Sequence, residues 1–204
     1  MAKFSAAELQ DSTSTDIVCY SFVLGWFVLV ALASYFHSYI AAIVCGYLMA
    51  AFYGIGHFYV HRKDKNNILE HIYLLIGFSA REQKIMHVFS HHPYLNTAID
   101  YEYAALEPIM NYSRFLPQNK WYSTIIIEII LAIVGPVNVL TKVLVAPLVH
   151  KERPSFQHLA LFLEIAYIYL FTGNIGVALK LWAVLMIVSG IIIGKTVVCP
   201  HRQI

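Results

Sequence analysis

Thiols are scarce in this chain. Its 204 residues include three cysteines, Cys19, Cys45 and Cys199, the first two inside apolar runs and the third near the tail. None has a paired spacing, which argues against a disulfide framework and against a thiolate zinc site. Charge is scarce too: Asp, Glu, Lys and Arg make up 13% of the residues, and the formal net charge is +2. There is no basic field of the kind that holds a nucleic acid. The leading segment MAKFSAAELQDSTSTD is polar and mixed in charge. It lacks the short basic start and small-residue cleavage pattern of a secretory signal, so the apolar run behind it is expected to be retained. No internal repeat and no low-complexity segment is visible.

What the chain has instead is apolar surface. Hydrophobic residues make up 59% of it, and they are gathered into runs. A soluble domain needs no such surplus, so the expected fold is an all-α, polytopic helical membrane protein. Ile17–Phe36 is the first span and Tyr39–Ile55 the second, joined by the short link His37-Ser38. Phe156–Thr172 and Ile175–Gly194 form a second pair across Gly173-Asn174. Between the pairs, residues 57–121 are polar and carry Arg62, Lys63, Lys65, Arg81, Lys84, Arg114 and Lys120, a basic enrichment that marks the cytosolic side. By the hairpin, the polar segment 1–16 shares that side. Within the polar segment, Ile68–Phe78 is only about half a membrane long and reads as an interfacial or packed helix. Ser123–Val149 is apolar but broken by Gly135, Pro136 and Pro147, which suits a re-entrant or interfacial pair. The expectation is four spans in one membrane domain over 17–204, six being the count if 123–149 crosses as a short hairpin.

Histidine is where the chemistry gathers. His57 and His61 stand in GHFYVH; His87, His91 and His92 stand in HVFSHHP. On a helix the four-residue spacing of His57 and His61, and of His87 and His91, stacks two imidazoles on one face. His92 lies about 100° further round, so the second group offers ligands in two directions. A single histidine at a membrane surface is ordinarily an interfacial residue. Two such pairs, one with a third neighbour, are much harder to obtain by accident and suit a site for two metals. An all-nitrogen set fits iron, copper or zinc, and redox work on a C–H bond points to iron. His37, His71, His150 and His158 lack such spacing and read as interfacial or packing residues.

Acidic residues follow the second group. Asp100, Glu102 and Glu107 read either as a solvated loop or as acceptors for the outer N–H of a ligand histidine. Asp64, three residues past His61, suits the same supporting role. Asn96 suits either a ligand or a partner for metal-bound water. Phe58, Tyr59, Phe89 and Tyr94 fit a dry wall around an acyl chain, and core packing explains them equally well.

At these residues the chain resembles the membrane fatty acid desaturase family, whose members carry three histidine boxes. The first corresponds to His57-Phe-Tyr-Val-His61 and the second to His87-Val-Phe-Ser-His91-His92. The stretch from Gly54 to Trp121 is most similar to the cytochrome b5-related branch, through the Ser-His-His-x-Tyr-x-Asn-Thr box, the Asp-x-Glu pair and the Glu-Pro that follows. The resemblance implies a helical membrane fold with a cytosolic cap holding two irons. It implies O2-dependent removal of hydrogen from a lipid acyl chain at the endoplasmic reticulum. Cytochrome b5 and its reductase are the implied electron donors.

Two features depart from that pattern. There is no His-Pro-Gly-Gly segment, so no haem is expected on this chain. After the last run the chain reads VVCPHRQI, where His201 stands about where a third box would begin and no His-His pair follows. The five box histidines, with His201 at most a sixth ligand, are fewer than a pair of irons in this family uses. The chain is therefore expected to be either a truncated or a naturally shortened form. Two other functions stay open: a non-enzymatic membrane protein that binds a lipid or a partner, and a metal transporter. The latter fits least, because transport sites lie near the bilayer midplane whereas these histidines lie just outside the spans.

Overall fold

The computed structural model describes residues 13–62, 68–95, 97, 99–100, 125–126, 129–130 and 156–201, excepting the side chains of 156–158, 195 and 197–201. Every regular element among them is helical. Among the described residues three stretches are long and apolar enough to cross a membrane: Thr13–Tyr35, Tyr39–His61 and Ile175–Gly194. The expected fourth span, Phe156–Thr172, is a helix of 17 residues, at the lower limit of spanning length. The 123–149 segment lies almost wholly outside the described residues.

Helix α1 (Thr13–Tyr35) begins four residues ahead of the apolar run, with Asp16 in its first turn, where a negative charge meets the positive end of the helix dipole. It buries Trp26, Val30, Ala33 and Ser34 and turns Leu24, Val28 and Leu32 outward. The turn that follows places His37 at φ 50°, a left-handed conformation uncommon outside glycine. Ser38 then caps α2 (Tyr39–Met49), its side chain accepting from Ala41 N at 3.2 Å. Helix α3 (Ala51–His61) follows after Ala50, whose φ −60° and ψ −27° keep the right-handed winding. The second apolar rod therefore runs six residues past Ile55, carrying His57 and His61 on its end.

The hairpin is closed at that end by charge. Arg62, just past α3, and the Tyr59 hydroxyl both donate to Asp16 at the start of α1. Near mid-helix, Trp26 Nε1 donates to Cys45 O at 2.9 Å.

Two further helices complete the bundle: α6 (Phe156–Thr172) and α7 (Ile175–His201). Their link has Gly173 at φ 60°, and Asn174 Oδ1 accepts from Gly176 N at 2.9 Å and from Val177 N at 3.2 Å. Tyr167 on α6 donates to Phe27 O on α1 at 2.9 Å. Close contact of α2 with α7 depends on Gly46: a Cβ there would stand 2.9 Å from both Leu185 O and Val188 Cβ. Between α3 and α6 lies a 3-10 helix, Ile68–Ile76, which buries Leu69, Ile72, Tyr73 and Ile76. It is too short to span and packs one face on the bundle, leaving Ile68 and His71 exposed.

Candidate metal centre

Two pieces of chain, separated by the 3-10 helix, build one cluster of imidazoles. The first is the end of α3. His57 and His61 are one turn apart there, with ring centroids 4.8 Å from each other. Their helix is set by the residue before His57: a Cβ on Gly56 would lie 2.8 Å from the Tyr73 ring, so glycine lets the 3-10 helix press directly on α3.

The second piece starts at Ser79, which caps α4 (Ala80–Gln83) by accepting from Glu82 N at 3.0 Å. The chain then winds as a π-helix over Lys84–His91, leading into the short α5 (His92–Tyr94). In that winding the His92 N–H bonds to His87 O, five residues back. Here the structure departs from the α-helical expectation. With wider turns, His87 and His92 come onto one face, their centroids 4.5 Å apart and their Nε2 atoms 3.0 Å apart. π-helical winding is rare, and where it occurs it is frequently at functional sites.

The two pieces meet at His87. Its ring lies 4.4 Å from His57 and 5.2 Å from His61, while His92 lies 4.9 Å from His61. His91 lies 5.2 Å from His87 on its other side, and its Nδ1 is 2.9 Å from Asp100 Oδ2. Asp100 is fully buried. Its loop is tied back to the π-helix by Ser90 Oγ, which donates to Ile99 O at 2.6 Å, and closed by Asp100 N on Thr97 O at 3.1 Å. Burial is graded: His87 is buried, His57 and His91 are half-buried, and His61 and His92 are exposed. The cluster thus has a dry floor in the bundle and an open side.

The donor set suits a first-row transition metal. Ring nitrogens of His57, His61 and His87 all lie within 4.8 Å of one another. Two nitrogens bound to one ion at roughly 2.1 Å each stand between about 3 and 4.2 Å apart. The 3.0 Å between His87 and His92 falls in that range as it stands, and the 4.8 Å bound on His57, His61 and His87 lies just above it. The Asp100 carboxylate holds the His91 ring by Nδ1, which presents Nε2 as the donor atom.

Of the supporting residues anticipated from sequence, Asp100 touches the cluster. Asp64, Asn96, Glu102 and Glu107 lie outside the described residues, as does His150. His201 is the last residue of α7, its side chain, like that of His158, among those not described. His37 sits on the α1–α2 turn and His71 on the outer face of the 3-10 helix, 3.7 Å from Glu70. Phe58, Phe89 and Tyr94 are exposed, and Tyr59 is buried, its hydroxyl on Asp16 of α1. Two side-chain arrangements escaped the sequence reading. One is the Asp16–Arg62 clasp, whose signal was an acid opening one span and a base closing the next. The other is Glu164, the one acid inside the α6 apolar run.

Residues 34–203, which include both histidine pairs and the helices that carry them, match the family model described as fatty acid desaturase. No curated protein and no solved structure matches the chain significantly. With a family match over most of its length, an all-helical membrane-type fold and a histidine cluster at the end of its spanning rods, the chain belongs to the fatty acid desaturase family.

Proposed function

We propose that this chain is an iron-dependent oxidoreductase that removes hydrogen from a lipid acyl chain, using O2 and electrons relayed by cytochrome b5 and its reductase. The observation that carries the reading is the convergence of five imidazoles, from α3 and from the π-helix, at one end of apolar rods that lie among lipids. His57, His61, His87, His91 and His92 are the ligands, and Asp100 is the positioning acceptor behind His91. Iron held by these nitrogens would supply the oxidising power that an unactivated methylene demands.

The chain's own contribution is placement. The α3 rod fixes His57 and His61 through the Gly56–Tyr73 contact, and the π-winding turns His87 and His92 toward them. Buried Asp100 fixes the His91 tautomer, keeping the proton on Nδ1. The dry floor at His87 excludes water, and the exposed edge at His61 and His92 is where an electron donor approaches. Arg62, Arg81 and Lys84 stand near the histidine end, and the Asp16–Arg62 clasp brings the start of α1 to it. That distribution supports a cytosolic histidine face, and the family resemblance implies residence in the endoplasmic reticulum, with residues 17–204 as one membrane unit.

The test is lipid profiling of cells that express the chain or its His91→Ala variant, beside iron analysis of the purified proteins. An acyl product made by the wild type and missing with His91→Ala is expected, together with lost iron. An iron-free wild-type protein whose expression leaves the lipid profile unchanged sinks the enzyme and leaves a lipid-binding membrane protein.

A further inference from the structure

Away from the histidines, α1, the 3-10 helix and α6 enclose a groove of about 670 Å³. That is within the range of roughly 300–1,000 Å³ typical of small-molecule sites. Its walls are nearly all apolar, with Trp26, Phe27 and Val30 on one side and Ile168 and Leu185 on another. Its rim carries Tyr20, Ile68, Leu163 and Leu170, all well exposed, so it opens sideways to the lipid. None of the five clustered histidines lines it.

Two ionisable groups line the groove: His71, exposed on the 3-10 helix beside Glu70, and Glu164, which is buried. Glu164 is 7% exposed and gives only Oε2 to a partner, Trp182 Nε1 at 3.1 Å. Its buried Oε1 has no hydrogen-bond partner among the described residues. Glu164 stands nine residues before Gly173, about 14 Å along the helix from the α6–α7 link. That depth is near the middle of a hydrocarbon core about 30 Å thick. A buried polar atom without a partner is costly in apolar surroundings, and ionisable groups inside spans are commonly functional.

We propose that this groove binds a neutral lipid bearing one hydroxyl, of the long-chain alcohol or sterol type, whose O–H donates to the Glu164 carboxyl group once Oε1, buried as it stands, turns to face it. The match is one of donors and depth. A hydroxyl brings one donor to one acceptor. An ammonium would bring three donors to a wall with a single free oxygen, and a phosphate headgroup would carry charge to the middle of the bilayer. An apolar body fills the remainder of the groove, and the lateral opening admits it from the membrane. The site is separate from the metal centre and does not depend on the proposed reaction.

The test uses the full chain in nanodiscs with a long-chain alcohol that carries a diazirine on its tail, with cross-links mapped by mass spectrometry. Labels are expected on α1, the 3-10 helix and α6. Unlabelled alcohol, cholesterol, or both should compete about tenfold better than the alcohol's methyl ether, the worth of one hydrogen bond to a buried group. Which of the two competes identifies the source. Glu164→Leu should abolish that preference and Glu164→Gln, which keeps an acceptor, should retain part of it. Labels elsewhere, equal competition by alcohol and methyl ether, stronger competition by a long-chain amine, or a preference that survives Glu164→Leu would each overturn the proposal. The comparison of alcohol with methyl ether in the wild type decides the matter even if the Leu variant does not fold.

Discussion

His91 Nδ1 lies 2.9 Å from Oδ2 of Asp100, a carboxylate with no exposed surface. The pair ties a histidine of the cluster to a loop nine residues on. It also decides which ring nitrogen is free to bind a metal, since the nitrogen facing the carboxylate keeps the proton.

Replacing that carboxylate by its neutral isostere should therefore loosen the metal without moving the backbone. Asp100→Asn is expected to weaken Fe(II) binding about 10–100-fold, measured by titration against a competing chelator, with helicity unchanged by circular dichroism. Wild-type affinity in the variant would show that Asp100 plays no such part.

His87 touches His57, His61, His91 and His92, so its removal should cost more metal than removal of any edge ring. His87→Ala is expected to purify with little or no iron. His37→Asn is the control: it stands on the α1–α2 turn, and asparagine tolerates the left-handed conformation found there. It should load as the wild type does. Equal iron in all three proteins contradicts the assignment.

Gly46 tests the packing of the second rod on α7. An alanine Cβ there meets Leu185 O and Val188 Cβ at 2.9 Å, and the backbone oxygen cannot swing aside. Gly46→Ala should destabilise the protein by about 1–3 kcal/mol, read as a lower midpoint of thermal unfolding in detergent. Gly25→Ala, with nothing within 4 Å of its Cβ, should leave the midpoint unchanged or raise it.

The clasp between Asp16 and Arg62 is partly shielded, with side chains 30% and 11% exposed. A double-mutant cycle of Asp16→Asn and Arg62→Gln should give a coupling energy of about 0.5–3 kcal/mol, the range for residues in direct contact. Additive effects would mean that the hairpin end holds together without it.

Much of the architecture was legible from local pattern. The runs from Ile17 and Ile175, and the links His37-Ser38 and Gly173-Asn174, appear in the structure where apolar length and turn chemistry put them. The pairing of His57 with His61 was legible for the same reason: their spacing is that of one α-helical turn. Spacing put His87 beside His91, and their rings stack 5.2 Å apart, but it misplaced His92 relative to His87, because periodicity in a sequence assumes one winding and the chain there takes another. The aromatics beside the histidines carried no sign of whether they face a ligand, the core or lipid.

By itself the sequence determined the membrane character, the helical hairpins, the family and the presence of two histidine groups, all of which depend on residues close together in the chain. Tertiary structure alone decided that the groups form one cluster, that Asp100 meets His91, and that Asp16 meets Arg62 across a hairpin. It also set Glu164 against Trp182 in an apolar groove. The physical reason is the same throughout. A helix fixes the angle between neighbours along the chain, whereas partners on different helices are chosen by packing, where Gly46 and Gly56 let backbones close and a π-turn rotates a face by a fraction of a turn.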